Sequence, residues 1–113
     1  MNIQIFGMKK CPETRKAERF FKERRIKAQF IDLKEKGMSK GELTSVAQAV
    51  KGLDNLLDPQ CKDQDTLALV KYLTADARTE KVLENQQILK TPIVRNGKLA
   101  TVGYCPDVWK TWE

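Results

Sequence analysis

The chain of 113 residues contains no histidine, and this absence removes much catalytic chemistry. Catalytic centres built on Ser-His-Asp or Cys-His are excluded, and a zinc site would need cysteines or carboxylates alone. The three cysteines, Cys11, Cys61 and Cys105, form no Cys-x2-Cys pair, so we expect no metal site. Neither a GxGxxG loop nor a P-loop is present, which excludes those two kinds of nucleotide site.

Long hydrophobic runs are also missing. No apolar stretch approaches the roughly 20 residues of a membrane-spanning helix, and the first residues show a strand pattern and no signal-peptide layout. We therefore expect no membrane association and a cytoplasmic, reducing location, where cysteines stay thiols. A length of 113 residues with 41% apolar content is typical of one core, so we expect a single domain over residues 1–113.

The net charge of +6 lies entirely in the first third of the chain. Residues 1–36 contain 11 Lys or Arg and 5 Asp or Glu, whereas the remainder contains 10 of each. An ordinary solvated basic helix face is one interpretation. The other is attraction of an anionic partner, such as glutathione or an acidic protein surface. Nucleic acid is a less favoured partner, because no nucleic-acid-binding motif accompanies the charge.

The first third of the chain has the pattern of a β-α-β unit. Alternating isoleucines predict a strand over residues 2–6. Pro12 is typical of a helix start, and the pattern that follows predicts a helix to about Arg25. Residues 28–33 predict a second strand, and the tight connections favour a parallel pair.

The middle of the chain, residues 39–89, predicts a helical insert. Ser39 and Glu42 form a capping-box pattern, which marks the start of a helix. The predicted segments are a helix from Ser39 that ends at Gly52, a polar loop over 53–65, and helices over 66–72 and 76–84.

The last part of the chain predicts a hairpin and a final helix. Asn96-Gly97 separates two apolar stretches within residues 90–103, and this dipeptide is the strongest short hairpin signal. Pro106 then opens a helix. The whole chain thus predicts an α/β fold with the order β-α-β, helical insert, β-β-α.

Cys11 lies where the first strand passes through a turn into the first helix. Unpaired N–H groups and the positive end of the helix dipole stabilise a thiolate at such a position. Lys9, Lys10 and Arg15 add positive charge nearby. Because the thiolate is the nucleophilic form of cysteine, Cys11 is the candidate catalytic nucleophile.

Four features of the chain occur together in one known family. They are the segment 6–11, the Cys11-x3-Arg15 spacing, the helical insert, and Thr91-Pro92-Ile93-Val94 leading to Val102-Gly103-Tyr104. With this order of elements, the whole chain resembles the ArsC/Spx family, the arsenate-reductase-like branch of the glutaredoxin relatives. The resemblance implies a thioredoxin-like fold, with a mixed central sheet flanked by helices.

The resemblance also implies roles for individual residues. Cys11 would be the nucleophile, and Arg15 would contact a bound anion or the thiolate, although it could equally be an ordinary exposed helix residue. Pro92 would follow a cis peptide bond and turn the Thr91 backbone toward an extended peptide or glutathione. No bound cofactor is implied; glutathione or another thiol would be a co-substrate. The predicted substrate- or glutathione-binding residues are Lys9, Lys10, Thr91 and Pro92.

The chain departs from both branches of this family. Arsenate reductases of the family hold the oxyanion with three arginines; here Thr91 and Cys105 stand at two of the positions, and Asp54 lies near the third, where it could repel an anion. Guanidinium groups dominate such recognition, so arsenate is disfavoured. The Spx branch often has a Cys-x2-Cys switch, but Thr14 replaces its second cysteine.

Two further thiols are candidates for resolving an oxidised Cys11. Cys105 precedes the last helix, and Cys61 lies in the polar insert on a segment expected to be mobile; each could equally be uninvolved. The leading prediction is a glutaredoxin-like thiol-disulfide oxidoreductase that acts on a small thiol or a disulfide-bearing protein. The alternatives are an Spx-like regulator that binds an acidic protein partner without catalysis, and an arsenate reductase.

Overall fold

The computed structural model of the protein describes residues 1–112. Its elements follow the predicted order, β-α-β, helical insert, β-β-α. They are β1 (Ile3–Gly7), α1 (Pro12–Glu23), β2 (Ala28–Asp32), α2 (Lys40–Ala49), α3 (Gln64–Lys71), α4 (Ala75–Glu84), β3 (Ile93–Asn96), β4 (Leu99–Val102) and α5 (Pro106–Lys110), with short 3-10 turns at Leu53–Leu56 and Gln86–Ile88.

The four strands form one mixed sheet in the order β2-β1-β3-β4. β1 pairs in parallel with β2, as predicted, and Ile5 lies opposite Phe30. β1 also pairs antiparallel with β3, where Ile5 lies opposite Val94. The β3–β4 hairpin turns at Asn96-Gly97, and Gly97 has a positive φ of 60°, which a glycine adopts without strain.

Helices cover both faces of this sheet. Successive side chains of a strand point to opposite faces, so Ile5 packs with α1 and α5 while Phe6 packs with the insert. The larger of the two apolar clusters lies under α2, α3 and α4. Trp109 of α5 is fully buried in the smaller one, and its indole N–H donates to the Thr101 hydroxyl at 2.8 Å, which joins α5 to β4.

Side-chain caps set the starts of two insert helices. The predicted capping box is present: the Ser39 hydroxyl accepts from the Glu42 N–H at 3.2 Å, and the Glu42 carboxylate accepts from the Ser39 N–H at 2.9 Å. The third helix starts at Gln64 rather than at the predicted Thr66. Asp63 is the reason, because its carboxylate accepts from the Thr66 N–H at 3.1 Å and so caps the helix earlier.

Two helices, α1 and α2, end at least two residues earlier than the sequence predicted. α1 ends at Glu23, and Arg25 then adopts a positive φ of 58°. α2 ends at Ala49 rather than at Gly52, with Lys51 at a φ of 67°. A left-handed residue closes each helix, and in these two places it is not a glycine, which is why the sequence pattern gave later ends.

Candidate active site

Cys11 is the N-cap residue of α1. Its backbone is extended, with φ −79° and ψ 118°, and Pro12 occupies the first position of the helix. The Cys11 N–H donates to the Met8 carbonyl at 3.0 Å, which closes the turn between β1 and α1. The side chain is partly exposed. The thiol therefore lies at a helix N-terminus and is within reach of a partner molecule.

The segment before β3 meets Cys11 from the other end of the chain. The Thr91 hydroxyl donates to the Cys11 sulfur at 3.2 Å, and the thiol in turn faces the Thr91 carbonyl at 3.8 Å. The peptide bond between Thr91 and Pro92 is cis, as the resemblance implied. The Pro92 carbonyl accepts from the Gly103 N–H at 2.8 Å, which holds this segment to the end of β4.

Opposing effects set the pKa of Cys11. Burial is the largest single effect and raises the pKa, because it disfavours the charged form. The hydroxyls of Thr14 and Thr91, together with the backbone N–H groups of Thr14 and Glu13, outweigh it and leave the pKa below the ordinary value. The thiolate is thus stabilised in the way that an N-cap side chain is, by donors of the first helical turn.

The cations expected to support the thiolate are not among the groups that lower its pKa. Lys9 pairs instead with Glu35 at 3.6 Å, and both side chains are about two-thirds exposed. Lys10 and Arg15 are also exposed. The groups that lower the pKa of Cys11 are hydrogen-bond donors, and the stabilisation of the thiolate by these three charges stays a prediction. A role for the three cations in binding a substrate remains a prediction.

Thr14 is a component of the site that sequence reasoning missed. Its side chain is completely buried, and its hydroxyl makes no hydrogen bond of ordinary geometry with the described residues, although it is among the groups that lower the pKa of Cys11. In the sequence, Thr14 was notable only because it stands where the second cysteine of a redox pair would be. Gly7, at the end of β1, was the available signal, because a small residue there leaves room for a side chain of α1.

The other two cysteines differ from Cys11 in their surroundings. Cys105 is the N-cap residue of α5, and its thiol donates to the Val102 carbonyl at 3.3 Å. Burial raises its pKa, and the Thr101 hydroxyl and Lys90 offset this only in part. Cys61 is buried in the larger apolar cluster, and burial raises its pKa as well. All three cysteines are free thiols.

Asp54 does not act as the isolated negative charge that the sequence suggested. Arg78 contacts both carboxylate oxygens of Asp54, at 2.8 and 3.0 Å, and also donates to the carbonyls of Lys71 and Leu73. The expectation that Asp54 repels an anion is therefore wrong, because its charge is neutralised by a neighbour within the insert.

Comparison with known proteins places this geometry in a family. The model of the ArsC family matches residues 6–112. The global transcriptional regulator Spx 2 of Oceanobacillus iheyensis is 29% identical over an alignment of 115 positions, which covers 95% of this chain and 80% of the regulator.

Solved structures agree on the fold. An arsenate reductase from Vibrio cholerae superimposes with a TM-score of 0.82 at 22% identity, covering 96% of this chain and 94% of that one. An arsenate reductase related protein from Brucella melitensis gives 0.68 at 22% identity, covering 99% and 94%. The α/β, thioredoxin-like fold predicted from the sequence is confirmed. Separately, no helix within residues 1–112 is long and apolar enough to cross a membrane. With a family model matched over nearly its whole length, the chain belongs to the ArsC family.

Proposed function

We propose that the protein is a thiol-disulfide oxidoreductase with Cys11 as its nucleophile. The observation that carries this proposal is the position of Cys11, a partly exposed cysteine at a helix N-terminus whose sulfur accepts a hydrogen bond from the Thr91 hydroxyl at 3.2 Å. Donors of this kind lower the pKa of the thiol. In the first step the Cys11 thiolate attacks one sulfur of a disulfide, the substrate S–S bond breaks, and the second substrate sulfur leaves as a thiolate. The product on the protein is a mixed disulfide at Cys11.

A second thiol then restores the reduced protein. Thr14 occupies the position of a neighbouring resolving cysteine and cannot form a disulfide. Burial raises the pKa of Cys61 and of Cys105, so neither is a ready thiolate near neutral pH. We therefore favour glutathione or another small thiol: its thiolate attacks the substrate sulfur, and Cys11 leaves as a thiolate. Cys105, which is partly exposed, is the alternative.

Binding of the partner would use the segment that faces Cys11. The backbone around Thr91 and Pro92 offers pairing groups to an extended peptide such as glutathione. Lys9, Lys10 and Arg15 are exposed and would attract its carboxylates. A reducing cytoplasm, the location that we propose, would supply such a thiol.

The test is reduction of a glutathione-peptide mixed disulfide, with excess glutathione as electron donor. We expect Cys11→Ser to abolish turnover, because a hydroxyl cannot form the mixed disulfide. Cys61→Ser and Cys105→Ser are matched controls, and each should retain turnover if an external thiol resolves Cys11. Undiminished turnover in Cys11→Ser would refute the proposal, whereas loss in Cys105→Ser alone would make Cys105 the resolving thiol.

A regulator or adaptor is the second candidate, favoured by the Spx 2 relative and by one surface feature. A groove of about 280 Å³ between α1 and α5 is lined by four basic side chains and two aromatic ones, with Glu23 as its one carboxylate among the described residues. The Lys16 ammonium lies 5.8 Å from the centre of the Tyr104 ring, and Arg19 and Lys110 line the same groove. Cationic side chains beside aromatic rings can bind the carboxylates and the apolar atoms of an acidic protein segment. A double Arg19→Glu, Lys110→Glu variant that loses a co-purified partner, with Cys11→Ser still binding it, would favour this candidate.

A further inference from the structure

β2 forms one edge of the sheet, and its outer side has no pairing strand among residues 1–112. Its pairing with β1 runs without a bulge from Ala28 to Asp32. Proteins usually blunt such an edge with a proline, a bulge, or a helix or loop that covers it. β2 contains neither a proline nor a bulge. Its outer row of backbone N–H and C=O groups can therefore pair with another strand.

The outward backbone groups of β2 belong to every second residue. The Leu33 N–H donates to the last carbonyl of β1 at 3.0 Å, so Leu33 faces inward. The backbone groups of successive strand residues face opposite sides of the strand, so Gln29 and Ile31 also face β1. Ala28 and Phe30, here called the outward residues, face away from β1. Their N–H donors and C=O acceptors are the groups that a further strand would use.

A groove of about 280 Å³ adjoins the outward residues on the α1 side of the sheet. It is lined mostly by apolar side chains, and the lining residues are Ile5, Glu18, Lys22, Ile26, Ala28 and Phe30. Ile26 and Phe30 are only half-buried, so they leave apolar surface to cover. Side chains alternate between the two faces of a strand. Every second side chain of a strand paired with β2 would therefore point toward this groove, where an apolar one fits best.

Exposed cations flank the start of β2 on both faces of the sheet. Lys22 lines the groove, whereas Lys27 lies between two groove residues, Ile26 and Ala28, and so projects to the other face. Neither lysine forms an ion pair with another residue in 1–112. Glu18 is the one carboxylate of the groove among the described residues, and residues 1–36 carry the whole net charge of +6. Charge complementarity therefore favours a segment that carries carboxylates.

We propose that β2 is a docking site for an extended acidic segment of a partner protein, which joins the sheet as an additional strand beside the outward residues. Its apolar side chains enter the groove, and its carboxylates meet Lys22 and Lys27. A second copy of this chain fits less well, because it would bring together two copies of the segment that carries the whole positive charge. The groove beside β2 shares no lining residue with the groove between α1 and α5, and the proposal does not depend on turnover at Cys11.

The test is amide hydrogen exchange of the full chain, followed by NMR with and without a peptide. The peptide alternates valine with glutamate, has blocked ends and is about six residues long, the usual length of a strand. In the free protein, the N–H groups of the outward residues should exchange faster than those of Gln29 and Ile31, which bond to β1. We expect the peptide to slow exchange at the outward residues several-fold and to leave Gln29 and Ile31 unchanged.

Charge reversal supplies matched variants, compared by fluorescence anisotropy of the labelled peptide. Lys22→Glu combined with Lys27→Glu should weaken binding about ten-fold or more, because carboxylates would then face carboxylates. Lys62→Glu combined with Lys98→Glu makes the same change of charge at exposed residues of the insert and of the β3–β4 turn. That control should weaken binding much less. Ala28→Pro removes one outward N–H and no bond to β1, and it should weaken binding about three-fold or more.

Several results would overturn the proposal. One is unchanged exchange at the outward residues with the peptide at roughly millimolar concentration; another is equal binding of a peptide with lysine in place of glutamate. An equal loss in both charge-reversed variants would show general attraction and no site at β2. Self-association of the wild type that protects the outward residues without peptide would make a second copy the occupant. Circular dichroism checks the fold of each variant, and the exchange and lysine-peptide measurements need only the wild type.

Discussion

The hydroxyl of Thr91 and the sulfur of Cys11 lie 3.2 Å apart, although 80 residues separate them in the chain. This contact, with donors from the first turn of α1, lowers the pKa of Cys11 in spite of burial. Burial raises the pKa of both other thiols. The three cysteines should therefore become reactive at different pH values, and Cys11 should react with an alkylating reagent at the lowest pH.

We predict that iodoacetamide at about pH 5.5 labels Cys11 before Cys61 and Cys105. An unperturbed cysteine with a pKa of about 8.5 is a thiolate in roughly one molecule in a thousand at that pH. A lowered pKa increases the thiolate fraction there, and a raised pKa decreases it. Peptide mass spectrometry of the labelled protein gives the three rates.

The control for this prediction is the unfolded protein. In denaturant the three cysteines should be labelled at similar rates, because each then has a pKa near its ordinary value. Thr91→Val should slow the labelling of folded Cys11 at low pH and leave Cys61 unchanged. Equal labelling of the three thiols in the folded protein would contradict the assigned pKa directions.

Gly7→Ala should destabilise the protein by about 1–3 kcal/mol, the usual cost of overpacking. The new methyl group would lie 2.5 and 2.6 Å from two atoms of the Thr14 side chain, which is fully buried, so part of the structure must shift to accept it. Urea denaturation measures the loss in free energy of unfolding.

A double variant supplies the matched control for Gly7. Gly7→Ala combined with Thr14→Ala removes the two colliding atoms and should recover part of the loss. The coupling free energy between the two positions should be at least about 0.5 kcal/mol, as for residues in contact. Strict additivity would show that the loss has another origin.

Arg78→Ala should cost about 2 kcal/mol, because one guanidinium serves Asp54 and two backbone carbonyls. Asp54→Asn should cost about 0.5 kcal/mol, since that carboxylate is 64% exposed. Lys40→Ala removes a surface ion pair with Glu80 and should change stability little. Thermal denaturation of the three variants gives the order of their stabilities. If Arg78→Ala is no less stable than Lys40→Ala, the structural role of the guanidinium is contradicted.

Local signals account for what the sequence predicted well. The capping box at Ser39 and Glu42 and the turn at Asn96-Gly97 each depend on residues adjacent in the chain, and the structure contains both. Local patterns also predicted the order of the elements. The family resemblance supplied the thioredoxin-like arrangement and the cis bond before Pro92, which no local pattern could have given.

The details of the site depend on contacts across the fold, and the sequence could not supply them. Nothing near Thr91 indicates that its hydroxyl reaches Cys11, since the two meet only after β3 pairs with β1. The charges near Cys11 were conspicuous in the sequence, yet side chains such as Lys9 extend into solvent. Arg78 was likewise unpredicted, because its partners lie 5 to 24 residues away.

β1 is an inner strand of the sheet, and its antiparallel neighbour β3 begins almost 90 residues later. A ribosome-bound chain that has just exposed Cys11 therefore has no Thr91 and no β3–β4 hairpin to complete the sheet. Long-range pairings of this kind form late and slow the folding of a domain. During synthesis, Cys11 would lack the donor Thr91, and its pKa would lie closer to that of an ordinary thiol until the C-terminal third of the chain emerges. The order of the strands thus delays the hydrogen bond from Thr91 to Cys11 until most of the chain has been synthesised.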